Sequence, residues 1–285
     1  MNQRTEDAFR ADIVEIGRRM YARGYVASND GNISIKLDDS TILTTPKSVS
    51  KGFMTSDMMV VVDLDGKKIR GTRDASSELL MHLEVYKNRP DVRAVVHAHP
   101  PIATGFAVAG IPLDRAVLAE VVTTLGSIPI AEYGTPSTPE LPAAVRKYIK
   151  AHDGLLLANH GALTIGPDVY AAYYKMETIE HFAKISLVTR QLGRENLLSR
   201  DEVHRLQQLR GNYGIKAPAP ICADGSEIAP TDQASCQIVE APASRGARLI
   251  PTDPADLDGE IRLSYRELTA LIEDAVKALL GGQHG

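Results

Sequence analysis

Val92-Arg93-Ala94-Val95-Val96-His97-Ala98-His99-Pro100 is the stretch on which the fold turns. Its apolar, β-branched run predicts a strand over residues 92–99 that Pro100 ends. Residues i and i+2 of a strand project from the same face, within about 7 Å along the chain. His97 and His99 therefore leave this strand side by side, and two imidazoles so placed suit one cation. Before it, residues 77–88 read as a helix closed by Arg89-Pro90, and residues 58–64 as an apolar strand closed by Asp65-Gly66. Residues 32–37 alternate, with Ile33, Ile35 and Leu37 predicted inward. They turn at Asp38-Asp39-Ser40 and return over residues 41–44 as a hairpin. An amphipathic helix is predicted over residues 7–23, with Phe9, Ile13, Ile16 and Met20 on one face and Gly24 as its stop. After the His-Ala-His stretch come a short buried strand at residues 154–158, a long helix opened by Pro167 and running to about residue 191, and a shorter one at 201–210. Strands and helices in this order predict an α/β layered domain with a central mixed sheet flanked by helices.

The composition bounds what such a domain does. The chain has 285 residues, of which 44% are apolar and 24% charged, as in ordinary globular proteins. A net charge of −4 offers no basic field to nucleic acid or to an anionic membrane. No apolar run approaches a membrane span, and the polar start MNQRTEDAFR does not read as a signal peptide, so a cytoplasmic protein is expected. With only Cys222 and Cys236, neither a disulfide framework nor a thiolate zinc cage is expected. A metal must be held by histidine and carboxylate.

The expected domains are a catalytic unit at residues 1–215, a linker at 216–258 and an amphipathic helix at 259–285. The linker holds six of the sixteen prolines, both cysteines and no aromatic residue, too little with which to build a core. Within the tail, Ser264 and Glu267 form a capping box for a helix over 264–280. Leu268, Leu271, Ile272, Ala275 and Leu279 fall on one of its faces. Such a stripe wants a partner, which is either the protein's own oligomer or an outside protein.

His160 is the third imidazole of interest, in Asn159-His160-Gly161 after the strand at 154–158, and Glu78 at the head of the 77–88 helix offers a carboxylate. Three nitrogen ligands, an open position and a nearby carboxylate describe a catalytic rather than a structural zinc site. The plainer reading makes His97 and His99 surface or core groups and His160 a strand cap. His82, one turn after Glu78, is either a competing ligand or a packing group. Ser76 and Ser77 stand at a helix mouth, whose unpaired N–H groups and dipole favour an anion. Asn32 follows Gly31 in a tight turn, and Lys47 adds a charge. Taken singly, these are also a cap, a turn and a solvated lysine.

Five patterns occur in one order: Gly31-Asn32-Ile33-Ser34, Thr45-Pro46-Lys47-Ser48, Ala75-Ser76-Ser77-Glu78, His97-Ala98-His99-Pro100 and Asn159-His160-Gly161. The set resembles the class II aldolase/adducin family, above all its fuculose-1-phosphate aldolases, from the first helix to Tyr213-Gly214. The resemblance implies one Zn2+ per subunit on His97, His99 and His160, with Glu78 as both resting-state ligand and acid/base. It implies that Asn32, Lys47, Ser48, Ser76 and Ser77 grip a substrate phosphate, and that Tyr213 is a mobile catalytic tyrosine. It further implies a homotetramer with sites at subunit boundaries. The implied reaction is reversible cleavage of a ketose 1-phosphate to dihydroxyacetone phosphate and a small aldehyde such as lactaldehyde. A pentulose-5-phosphate 4-epimerase, a methylthioribulose-1-phosphate dehydratase and a non-catalytic adducin-like scaffold are the alternatives. Two departures stand out. Counting back from Ser127-Ile128-Pro129, Leu118 occupies the place of a family tyrosine that serves the aldehyde oxygen, with Tyr133, Tyr213 and Glu120 as candidate substitutes. Lys47-Ser48 replaces the family's Thr-Gly. The arrangement of enzyme, linker and terminal helix is similar to that of cargo enzymes tethered to a bacterial microcompartment shell, which makes a shell protein the outside partner to set beside the protein's own oligomer for residues 264–280.

Overall fold

The computed structural model describes residues 5–213 together with Ile215 and Ile221. The 264–280 helix and, apart from Ile221, the 216–258 linker lie outside the described residues. Ile221 itself is buried against Ala116, Val122 and Val203, so the chain still touches the catalytic unit five residues into the expected linker.

In chain order, α1 (Glu6–Ala22) leads into β1 (Asn32–Lys36) and β2 (Thr41–Thr44). Two 3-10 turns, at Lys51–Phe53 and Ser56–Met58, then lead to β3 (Val60–Asp63) and β4 (Lys68–Arg70). Next come α2 (Leu79–Asn88), β5 (Ala94–Ala98), α3 (Pro101–Ala109), α4 (Ala119–Thr124), β6 (Ile130–Ala131) and α5 (Glu140–Arg146). The hairpin β7 (Gly154–Leu157) and β8 (Gly161–Gly166) precedes α6 (Val169–Gln191) and α7 (Arg200–Asn212). The eight strands form one sheet in the order β4-β3-β2-β1-β5-β8-β7-β6. Every pairing is antiparallel except β6 with β7, so the sheet is mixed, as expected.

Helices cover both faces, and the alternation of side chains sorts the core into two layers. Ile33, Ile35, Leu43, Val61 and Val96 pack with α1, α3 and α6 on one side. Ile42, Val60, Val62, Val95, Leu163 and Ile165 pack with α2 and α5 on the other. The hairpin alternation predicts Ile33, Ile35 and Leu37 inward. In fact Asn32 and Ser34, on the opposite face of β1, are just as buried, because α2 lies over them. Ser34 Oγ meets His82 Nδ1 at 2.7 Å and Tyr86 Oη at 2.8 Å, so the polar row of β1 is sealed by polar groups of α2.

Several helix starts differ from expectation by local chemistry. Asp168, not Pro167, caps α6, accepting from the Ala171 amide at 2.8 Å, an interaction worth about 1 kcal/mol. Helix α2 begins at Leu79 rather than at Ser77. Glu78 occupies its cap position, and Ser76 Oγ accepts from the Glu78 amide at 3.3 Å. Ser199 and Glu202 form a full capping box on α7. No helix among the described residues is long and apolar enough to cross a membrane.

Candidate metal centre

β5 and β1 are neighbours in a register that sets His97 opposite Asn32. On its other side β5 pairs with β8, with His97 opposite Leu163 and Ala98 opposite Ala162. That pairing carries the β7–β8 turn, which holds His160, to the end of β5. The turn needs Asn159 in the left-handed region at φ 54°, a conformation that asparagine tolerates better than most residues. It also needs a bare Gly161, since a Cβ there would lie 2.5 Å from the Ala98 carbonyl oxygen and 2.6 Å from His99 Cδ2. Gly31, at φ 71°, likewise has no room for a side chain, with the His97 carbonyl oxygen 2.9 Å from where a Cβ would stand. Both glycines are set by the close approach of backbone to the histidine strand.

His97, His99 and His160 come together, each offering a ligand atom within 4.8 Å of the others. His97 is fully buried, and its Nδ1 donates to the Ala162 carbonyl at 2.8 Å, which leaves its Nε2 as a lone pair. That Nε2 stands 3.1 Å from His99 Nε2. Two nitrogens bound to one tetrahedral ion at about 2.0–2.1 Å stand about 3.3 Å apart, so the pair is already spaced for it. Burial pushes the pKa of both rings below the ordinary histidine value, opposed by the Glu78 charge at His97 and reinforced by His160 at His99. Neutral imidazoles with converging lone pairs are what a divalent cation requires.

Glu78 completes the cluster. Its Oε1 is 2.9 Å from His160 Nε2, and its Oε2 is 3.5 Å from His97 Nε2. Asn32 Nδ2 donates to Oε2 at 2.7 Å. Burial works against the carboxylate charge, but His97, His160 and the Asn32 amide outweigh it and hold Glu78 well below the usual carboxylate range. The donor set, three imidazole nitrogens and one ionised carboxylate, fits a divalent ion with an open coordination position.

Next to this cluster a cleft of about 230 Å³ opens, lined by Asn32, Lys47, Ser48, Ser76, Ser77, Glu78 and His99 among others. Every residue expected on the phosphate side thus shares one space with the metal-binding end. Asn32 already spends its amide on Glu78. Tyr213 does not line this cleft; it caps the C-terminus of α7 and is 68% exposed. Tyr133 and Glu120 are also exposed and outside the cleft, and Leu118 packs at the edge of the α1 and α6 core layer. His82 is no ligand, since it faces Ser34. His152 is buried and its Nδ1 donates to the Ser127 carbonyl, His204 pairs with Gln208 on α7, and His181 is exposed on α6. The cleft also contains Asp30, Lys51, Pro136 and Ser137, which sequence reasoning did not single out. Lys51 is four residues past Lys47, and Pro136 and Ser137 belong to a Thr-Pro-Ser-Thr turn between β6 and α5, a turn signal that could have marked them.

Comparison with known proteins agrees with this geometry. Residues 11–187 match the family model described as Class II Aldolase and Adducin N-terminal domain. An L-fuculose phosphate aldolase of Methanococcus maripaludis is 34% identical over 181 residues, 64% of this chain and 97% of the relative. A 3-oxo-tetronate 4-phosphate decarboxylase of Pectobacterium atrosepticum is 32% identical over 65% of this chain and 86% of its own length. The crystal structure of YgbL from Klebsiella pneumoniae superposes with a TM-score of 0.67 at 29% identity, covering 71% of this chain and 99% of that one. With its imidazoles and carboxylate assembled at one strand end, the chain belongs to the class II aldolase/adducin family, among its lyases.

Proposed function

We propose that the chain is a Zn2+-dependent aldolase that reversibly cleaves a ketose 1-phosphate of the fuculose or rhamnulose type to dihydroxyacetone phosphate and a small aldehyde such as lactaldehyde. The observation that carries this reading is the sharing of one cleft by the histidine–Glu78 cluster and an anion-favouring wall of Asn32, Lys47, Ser48, Ser76 and Ser77. A divalent ion held by His97, His99 and His160 supplies Lewis-acid stabilisation of the negative charge that develops on the substrate oxygens.

The chain's own groups do the rest. Ser76 and Ser77 precede α2, whose N-terminal dipole favours a phosphate dianion. In the condensation direction, ionised Glu78 takes a proton from the hydroxymethylene carbon of dihydroxyacetone phosphate. The electron pair left behind forms the bond to the aldehyde carbon, and the aldehyde oxygen takes up a proton. Cleavage runs these steps in reverse, with Glu78 returning its proton to carbon. The proposal assigns the oxygen-side proton to Tyr213, which has to reach the cleft from the end of α7, with the cleft completed in a homotetramer.

A second reading is favoured by Leu118. Loss of CO2 from a 3-oxo acid phosphate leaves the same electron-rich carbon for Glu78 to protonate, yet breaks its bond without moving a proton from an alcohol oxygen. A site lacking the family tyrosine suits that reaction, and one relative bears the name of such a decarboxylase. Incubation with dihydroxyacetone phosphate plus lactaldehyde, with ribulose 5-phosphate, and with 3-oxo-tetronate 4-phosphate, each with and without chelator, separates the readings. Ketose 1-phosphate formation that chelator abolishes supports the aldolase; CO2 release alone replaces it with the decarboxylase. For the tail, fusion of residues 259–285 to a fluorescent protein tests the shell-binding proposal, and diffuse fluorescence in compartment-forming cells counts against it.

A further inference from the structure

The cleft holds a cation that neither the metal cluster nor the expected phosphate wall uses. Lys51 opens the 3-10 turn at Lys51–Phe53 and is 1% exposed, yet it lines the cleft. Its Nζ donates to the Val49 carbonyl at 2.6 Å and to the Asn29 carbonyl at 2.9 Å. Two of its three N–H bonds are thereby fixed and one is left over. The two carbonyls belong to two loops that contribute to the cleft, one leading into the Gly31-Asn32 turn and the other leaving Lys47-Ser48.

Buried charges are paired as a rule, and among the described residues no carboxylate stands within ion-pair distance of this ammonium. Burial draws its pKa down to about 8, with Asp30 and Glu78 opposing, so the group is chiefly charged at neutral pH. Lys47 is the other lysine of the cleft, but it is exposed at the rim, where solvent weakens its attraction. Buried as it is, Lys51 is screened less, and the same charge acts more strongly there.

We propose that Lys51 supplies the buried positive charge that binds the substrate phosphate, and so sets the preference of the cleft for phosphorylated over plain sugars. The inference rests on the sugar-phosphate reading above, which the aldolase and decarboxylase alternatives share. Lys51 orients one N–H toward the phosphate because the Val49 and Asn29 carbonyls hold the other two.

The test uses the metal-loaded full chain and two probes, glycolohydroxamate and its phosphate monoester, whose shared planar head chelates a divalent ion. Binding of both is measured by calorimetry for wild type, Lys47→Met, Lys51→Met and Lys51→Gln. The Gln variant removes the charge but keeps donors for the two carbonyls, so it guards against loss of the loops in the Met variant. Both Lys51 variants should weaken the phosphorylated probe by about 10- to 100-fold, the range for one charge-assisted contact, while the plain probe changes less than about twofold. Lys47→Met should cost the phosphorylated probe less than either. A Lys51→Gln protein that binds the phosphorylated probe like wild type overturns the inference. So does one that loses both probes equally, which makes Lys51 a pin between loops. Wild type that shows no preference for the phosphorylated probe brings down the sugar-phosphate reading itself.

Discussion

Replacing His82 with asparagine should flatten the acid side of the stability curve. His82 is wholly buried on α2 behind the metal cluster, where Nδ1 meets Ser34 and no described residue partners Nε2. Burial disfavours its charged form and lowers its pKa from 6.5 to about 4, against the pull of the Glu78 charge. The folded protein therefore keeps this imidazole neutral in a range where the unfolded chain protonates it. As pH falls from 6.5 to about 4 the unfolded state binds one more proton, and stability is lost; above 6.5 the contribution is level. At about 1.36 kcal/mol for each pH unit, the loss amounts to about 3 kcal/mol. Asparagine keeps a hydrogen bond to Ser34, does not titrate, and leaves a gap that costs stability equally at every pH. Urea unfolding of wild type and His82→Asn, both stripped of metal, at half-unit steps from pH 4 to 8 gives the two curves. His97, His99 and His152 are also held neutral by burial and contribute equally to both proteins, so they cancel in the difference. The gap between wild type and variant should narrow by about 3 kcal/mol from pH 6.5 to 4. Parallel curves over that range refute the claim that His82 is buried neutral beneath the site.

Three further outcomes follow from the site geometry. Glu78→Gln should keep bound metal, measured by elemental analysis, and lose about 10²- to 10⁴-fold in kcat, the usual worth of a positioned acid/base; wild-type turnover removes Glu78 from that role. His97→Ala should lose metal and activity together, because the other two imidazoles lose their shared centre; an active protein free of metal ends the metal reading. Gly161→Ala should lower metal affinity in a chelator competition while the far-UV spectrum is retained, since the new Cβ collides with the Ala98 carbonyl and with the His99 ring.

What was legible in the sequence followed from local rules. The period of two in a strand placed His97 and His99 together, and an apolar helix face sufficed to place Ile13, Ile16 and Met20 in the core. The strand at Gly161–Gly166 carries no strand signal in the sequence, because its glycines and Thr164 interrupt the apolar run; its burial comes from lying between β5 and β7. Nothing local marks Ser34 as buried, and only the arrival of α2 from more than forty positions away makes it a partner of His82 and Tyr86. Lys51 carries no mark in the sequence, since its role depends on two carbonyls brought near it by the fold.

The same division explains why the metal end of the site was readable and the proton-donating end was not. His160 is more than sixty residues from His97, but it sits in the turn of the β7–β8 hairpin, which pairs with β5, and that turn is written in local chemistry. Asn159 accepts a positive φ, Gly161 has no side chain to strike Ala98, and the β5–β8 register then brings the turn to the histidine strand. Each step there is a backbone requirement that a few residue types meet, so a motif preserves it. The oxygen-side acid has no such constraint, because any ionisable group that reaches the cleft will serve. Tyr213 at the end of α7 and Tyr133 in the β6–α5 connection are both exposed and outside the cleft of one chain. A tyrosine so placed gains a catalytic position only when its segment closes on the cleft or a second copy presents it. If the homotetramer forms and Tyr213→Phe still turns over at the wild-type rate, the acid lies elsewhere and the decarboxylase reading, which needs none, gains ground.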